Sequence, residues 1–154
     1  MTRMIMSTTF GVLACALTTT AFADLSPEKQ IHYRQSGYSF MSWNMSRIKA
    51  NLEGEFDQEQ VVNAANVIAA IANSGMGALF SPGTDKDIGS AKTNVKPQFF
   101  QSKEEVEQLA SDFIVAADNL AEVAADGEKA DVVAAFGEVG QACKSCHEKF
   151  RADE

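Results

Sequence analysis

The stretch SKEEVEQLASDFIVAADNLAEVAADGEKADVVAAFGEVGQACKSCHEKFR, residues 102–151, reads as two helices folded back on each other. Ser102 with Glu105 has the spacing of a full capping box, which satisfies the free backbone donors of a helix start. From there Val106, Leu109, Phe113, Ala116 or Ala117 and Leu120 recur at three- and four-residue steps, one stripe of a helix. Asp126-Gly127 offers a tight turn. Beyond it Val132, Phe136, Val139, Cys143, Cys146 and Phe150 repeat the same period. A helix with one apolar stripe cannot hide it alone, so two in series predict a bundle.

Two more helices precede this pair. One opens at Ser26-Pro27-Glu28, an N-cap serine, a proline at the first helical position and an acid in the first turn. Its stripe is Ile31, Tyr38, Met41, Met45, Ile48 and Leu52, and Gly54 ends it. Arg34 and Gln35 interrupt that stripe where another apolar residue is due. The next opens at Asp57 with Gln60 three residues on, a variant of the capping box. It carries Val61, Ala65, Ile68 and Ala72, and stops at Asn73-Ser74-Gly75. The segment up to residue 102, with Ser81-Pro82-Gly83-Thr84 and Pro97, is too rich in turn residues for a helix. Strand signals are absent. The expected fold is all-α: an antiparallel four-helix bundle, up-down-up-down, with one long connection between the second and third helices.

The first 23 residues, MTRMIMSTTFGVLACALTTTAFA, are set apart from this pattern. A basic residue, a short apolar run and Ala21-Phe22-Ala23 make a secretory signal, cleaved after Ala23, too short to span a membrane. A rival reading takes Val12-Leu13-Ala14-Cys15 as a lipoprotein site, but it leaves the A-x-A pattern unused. Residues 24–154 then form one exported, periplasmic domain with a net charge of −9, because Arg3 is the only charge lost from the full chain's −8. So acidic a surface argues against nucleic acid or an anionic membrane as partner. Nothing in it resembles a catalytic triad, a phosphate loop or a carboxylate pair, so an enzyme is not expected.

Cys143 and Cys146 are the cysteines that remain after the leader, three apart, with His147 next to the second. At i, i+3 and i+4 all three emerge on the core-facing side of the last helix. A redox dithiol needs only the cysteines and usually sits at a strand-to-helix junction, which is missing. Structural zinc needs four ligands, and the other histidine, His32, stands near the start of the first helix, in a position that reads as surface. A disulfide at this spacing strains a helix and leaves His147 without a role. Covalent haem uses the residues in this order: two thiols for the vinyl groups and an adjacent imidazole for iron. Export agrees, since haem c is attached outside the cytoplasm.

The motif's place near the C-terminus, with YRQS (33–36) followed by Met41, FSPGT (80–84) and AAFGEVGQACKSCHEKFR (134–151), resembles the cytochromes c′. The likeness covers nearly all of the exported chain. It implies one haem c on Cys143 and Cys146, His147 as proximal ligand, and Arg151 beside the proximal face. It implies that Arg34 and Gln35 meet the propionates, which accounts for the interrupted stripe, and that Thr84 borders the haem edge. Tyr38 matches the bulky residue that covers an empty sixth position, so the iron would be five-coordinate, binding nitric oxide and carbon monoxide and exchanging electrons with a redox partner. The alternative is a low-spin electron carrier with Met41 or Met45 as sixth ligand. A colourless helical dimer without haem is a third, weaker reading. Family members are commonly homodimers through the first two helices, whose outer sides here include Phe40, Trp43 and Phe56.

Overall fold

The computed structural model describes residues 25–152; the leader, Cys15, Ala23 and the acidic Asp153 and Glu154 lie outside the described residues. Within them the chain forms α1 (Pro27–Glu53), α2 (Gln58–Ala72), α3 (Lys103–Asp126) and α4 (Lys129–Phe150), and no strand. Successive helices pack along their lengths, whereas α1 and α4 meet only briefly. The all-α four-helix bundle expected from periodicity is the fold. No helix among the described residues is long and apolar enough to cross a membrane.

The stripes build the core. Ile48, Val61, Ala65, Ile68, Ala117, Leu120, Val132 and Val139 are fully buried, and Met41 joins them at 5% exposure. Each buried aliphatic side chain contributes roughly 1.5–3 kcal/mol of transfer free energy. Alanine at 64, 65, 117 and 124, each fully buried, lets α2 and α3 approach closely.

The caps follow the sequence in two places and depart from it in two. Ser26 Oγ accepts the Lys29 N–H at 3.4 Å, and Pro27 occupies the first turn of α1. Asp57 caps α2, its Oδ1 accepting the Gln60 N–H at 3.1 Å. The Gln60 side chain, however, bonds the Asp57 carboxylate at 2.7 Å, and the Asp57 N–H goes to Asn51 Oδ1 at 3.0 Å. The capping box expected at Ser102 does not form. A 3₁₀ turn, Pro97–Phe100, leads straight into α3, the Ser102 N–H bonds back to Gln98 O, and Glu105 pairs with Lys149 of α4. Phe56 corrects a second expectation: it is half-buried against the core with Lys129 over its ring, not on the outer side.

The connection from Asn73 to Ser102 is ordered by side chains of α1. Glu28 Oε1 accepts the Ser90 N–H at 2.7 Å, Gln30 Oε1 accepts the Ser81 hydroxyl at 2.7 Å, and Gln35 Nε2 donates to Lys92 O at 2.7 Å. Gly89 holds φ at +57°, and a Cβ there would collide with the Glu28 carboxylate. The connection then crosses to the end of α4, where Lys96 N–H donates to Phe150 O at 2.8 Å and Ala152 N–H to Asn94 O at 2.7 Å. Phe80, Phe99 and Phe150 close this end, with ring centroids 4.7 Å apart for the first pair and 5.8 Å for the second.

Candidate haem site

The α4 motif lies at the end of the bundle that the connection closes. Cys143 and Cys146 are half-buried, and both are free thiols. Burial pushes both thiols above the ordinary cysteine range, and for Cys143 the neighbouring Cys146 adds to it. Protonated, partly covered sulfurs are the reverse of the exposed, low-pKa thiolate that a redox dithiol requires.

His147 is exposed, which corrects the expectation that all three side chains face the core. At about 100° per residue His147 stands roughly 100° around the helix from Cys146, so the cysteines turn inward while the imidazole sits at the rim. Burial of part of the ring, and after it the Arg151 cation, hold His147 below its ordinary pKa. The neutral imidazole that can bind iron is therefore favoured. Arg151 itself is exposed, at the end of α4, with its N–H donating to His147 O at 3.0 Å.

Across the bundle, α1 presents Tyr38. Its ring is 43% exposed, and its hydroxyl is pushed up to about 12, by desolvation first, then by the Cys146 and Cys143 sulfurs, against the Arg34 cation. The phenol thus lies within electrostatic reach of the α4 thiols and stays neutral. Met41 is turned into the core, and Met45 packs at its edge. His32 is exposed and touches Ser90 Oγ at 3.4 Å. Among the described residues no three His, Cys, Asp or Glu side chains converge on a metal ion, so the zinc reading does not assemble.

Arg34 is 2% exposed, and burial lowers its pKa. Its Nη1 donates to Thr84 Oγ1 at 2.8 Å and Leu79 O at 3.2 Å; its Nη2 donates to Thr84 O at 2.5 Å and Thr93 Oγ1 at 2.8 Å. Phe80 lies 4.5 Å from the guanidinium. Among the described residues Arg34 forms no salt bridge. Gln35 is exposed, and Thr84 is fully buried beneath Arg34. The structure thus brings Cys143, Cys146 and Arg34 each within electrostatic reach of Tyr38, with His147 and Arg151 on the adjoining rim. Sequence reasoning missed Thr93 and Phe80 as partners of Arg34; a polar break in an apolar stripe signals a buried cation but not its acceptors.

The donor set fits a porphyrin better than a bare ion: two thiols three residues apart, one neutral imidazole, and a buried cation suited to an anionic edge. The comparisons agree. The family model described as Cytochrome C' matches residues 29–151. Cytochrome c′ of Allochromatium vinosum is 61% identical over 153 residues, covering 99% of both chains. A solved cytochrome c′ with an unusual ligand-controlled dimer dissociation superposes with a TM-score of 0.83 at 66% identity, covering 85% of this chain and all of that one. Cytochrome c′ of Alcaligenes xylosoxidans, solved as a ferrous variant with bound NO, gives 0.72 at 25% identity over 83% of this chain and 97% of that one. A carbon monoxide-bound variant of the same protein gives 0.72 at 26% identity over 82% and 97%.

The fold and the site define a helical-bundle c-type cytochrome. The chain belongs to the cytochrome c′ family, and that membership implies haem c as the cofactor.

Proposed function

We propose that residues 24–154, exported and cleaved after Ala23, form a periplasmic haem protein that binds nitric oxide and carbon monoxide and exchanges single electrons, without enzymatic turnover. Cys143 and Cys146 hold one haem c through thioether bonds, and His147 is the one protein ligand to its iron. Bound haem c supplies a metal that changes by one electron and takes a diatomic ligand on an open face.

The observation that carries this reading is that Tyr38 lies within electrostatic reach of the α4 thiols while Met41 is buried in the core. A neutral phenol is a poor iron ligand, so the Tyr38 ring covers its side without occupying the metal. Covering it excludes water and large anions and admits small uncharged gases. Arg34, its Nη donors held by Leu79, Thr84 and Thr93 and without a carboxylate partner among the described residues, supplies a buried positive charge that would favour an anionic propionate nearby, with Gln35 beside it and Thr84 bordering the edge. Arg151, next to His147, would supply positive charge beside the imidazole that holds the iron. The NO- and CO-bound relatives support the choice of ligands.

Absorption spectra of the ferric and ferrous protein, before and after each gas, test the reading. Five-coordinate spectra that change on adding either gas are expected. A weak ferric band at the red end, the mark of methionine on iron, would contradict it in favour of Met41 or Met45.

Homodimer formation belongs to the same proposal. Phe40 and Trp43 stack 5.5 Å apart on the outer face of α1, each about half exposed, at 50% and 52%, with Arg47 over Trp43. Paired exposed aromatics of this kind mark association surfaces. A relative with a ligand-controlled dimer dissociation supports dimer formation.

A further inference from the structure

The two walls of the site stand on helices that scarcely touch: Tyr38 on α1, and Cys143, Cys146 and His147 on α4. What spans them is the five-residue run Lys92–Lys96. On the α1 side Gln35 Nε2 donates to Lys92 O at 2.7 Å and Arg34 Nη2 to Thr93 Oγ1 at 2.8 Å. On the α4 side Ala152 N–H donates to Asn94 O at 2.7 Å and Lys96 N–H to Phe150 O at 2.8 Å, while Val95 bridges Arg151. The hydroxyl of Thr93 sits at the junction. It takes the Arg34 bond and also the Val95 N–H at 3.3 Å, and the Thr93 N–H is fixed by Asp87 Oδ1 at 3.0 Å.

We propose that Thr93 is a positioning residue for gas binding: its hydroxyl sets the spacing between α1 and the end of α4, and so how closely Tyr38 covers the site. The inference rests on the gas-binding reading above. Arg34 and Tyr38 are one helical turn apart, so a shift of the guanidinium moves the ring that gates access. Removing one acceptor leaves the other Arg34 bonds in place, so α1 is loosened locally rather than unfolded. A hydroxyl that both accepts from a cation and orders its own loop has no apolar equivalent. Serine restores the bond; valine keeps the shape without it.

The test uses the haem-loaded protein as wild type, Thr93→Val, Thr93→Ser and Ser90→Ala. Ser90→Ala cuts a tie of the same connection to Glu28 at the start of α1, away from Tyr38. Stopped-flow association of carbon monoxide is expected to quicken at least fivefold in Thr93→Val and to stay within twofold of wild type in the other two. Amide hydrogen exchange, read independently of gas binding, is expected to rise over residues 34–38 in Thr93→Val alone. If Thr93→Val does not fold, Gln35→Leu is expected to change both readouts in the same direction. Unchanged rates and exchange in Thr93→Val, or equal changes in Ser90→Ala, overturn the role of Thr93 and leave gas binding standing. A wild-type protein that carries haem but binds no gas overturns both.

Discussion

The two ends of the bundle are held together by different physics. Around Ile48, Val61, Leu120 and Val132, four helices bury aliphatic side chains without exposed surface. At the other end α1 and α4 barely meet, the motif thiols are only half-buried, and around the Phe80, Phe99 and Phe150 rings particular atoms are fixed by hydrogen bonds between α1, the long connection and the last turn of α4. Burial is non-directional and tolerates small displacements, whereas the polar ties at the site end fix particular atoms. A cofactor held between α1 and α4 would need the second kind of order, because it would take the place of helix–helix packing there.

The largest effect expected from this contrast lies away from the site. Ile48→Ala empties a fully buried position near the far end of α1 and should cost about 2–5 kcal/mol of stability, read by denaturant unfolding, with the spectrum of the folded protein unchanged. A changed spectrum would show that the two ends are not independent. Next comes Thr84→Val at the site end. It removes an acceptor of the buried Arg34 cation and should cost about 1–3 kcal/mol while disturbing the spectrum. A neutral result there would mean that the polar ties are decoration.

Acid should separate the ends more gently. The Ser90 N–H holds Glu28 below the usual carboxylate range, and the Lys92 ammonium does the same for Asp87. Both groups bind protons more readily in the unfolded chain, so their stabilisation is complete above the unfolded values and is lost as pH falls through roughly 4 and below. Amide protection over residues 86–93 is expected to fall a few-fold in that window before α2 and α3 respond, and Asp87→Asn should blunt the change. Equal loss at both ends would contradict the contrast.

The same division decides what can be read from the sequence. The aliphatic end was legible because its signal is local: a stripe every three or four residues, a serine before Pro27, a glycine after α1. The thiols and imidazole were legible as a motif, and Arg34 as an interruption. What was not legible depends on partners far along the chain. Glu105 leaves its expected capping role for Lys149, 44 residues away, and the Arg34 acceptors lie 45–59 residues on. Phe56 looked exposed until α4 supplied Lys129 to cover it. His147 was misplaced for a simpler reason: i+4 from one cysteine is a wide angle from the other.

All of this turns on whether the end of α4 carries a covalently bound porphyrin. The intact mass of the protein, purified from a host that attaches haem c, measures that directly. The expected result is the polypeptide from Asp24 plus one haem, lost from the main species when Cys143 and Cys146 are both replaced by serine. A mass equal to the bare polypeptide would contradict the account.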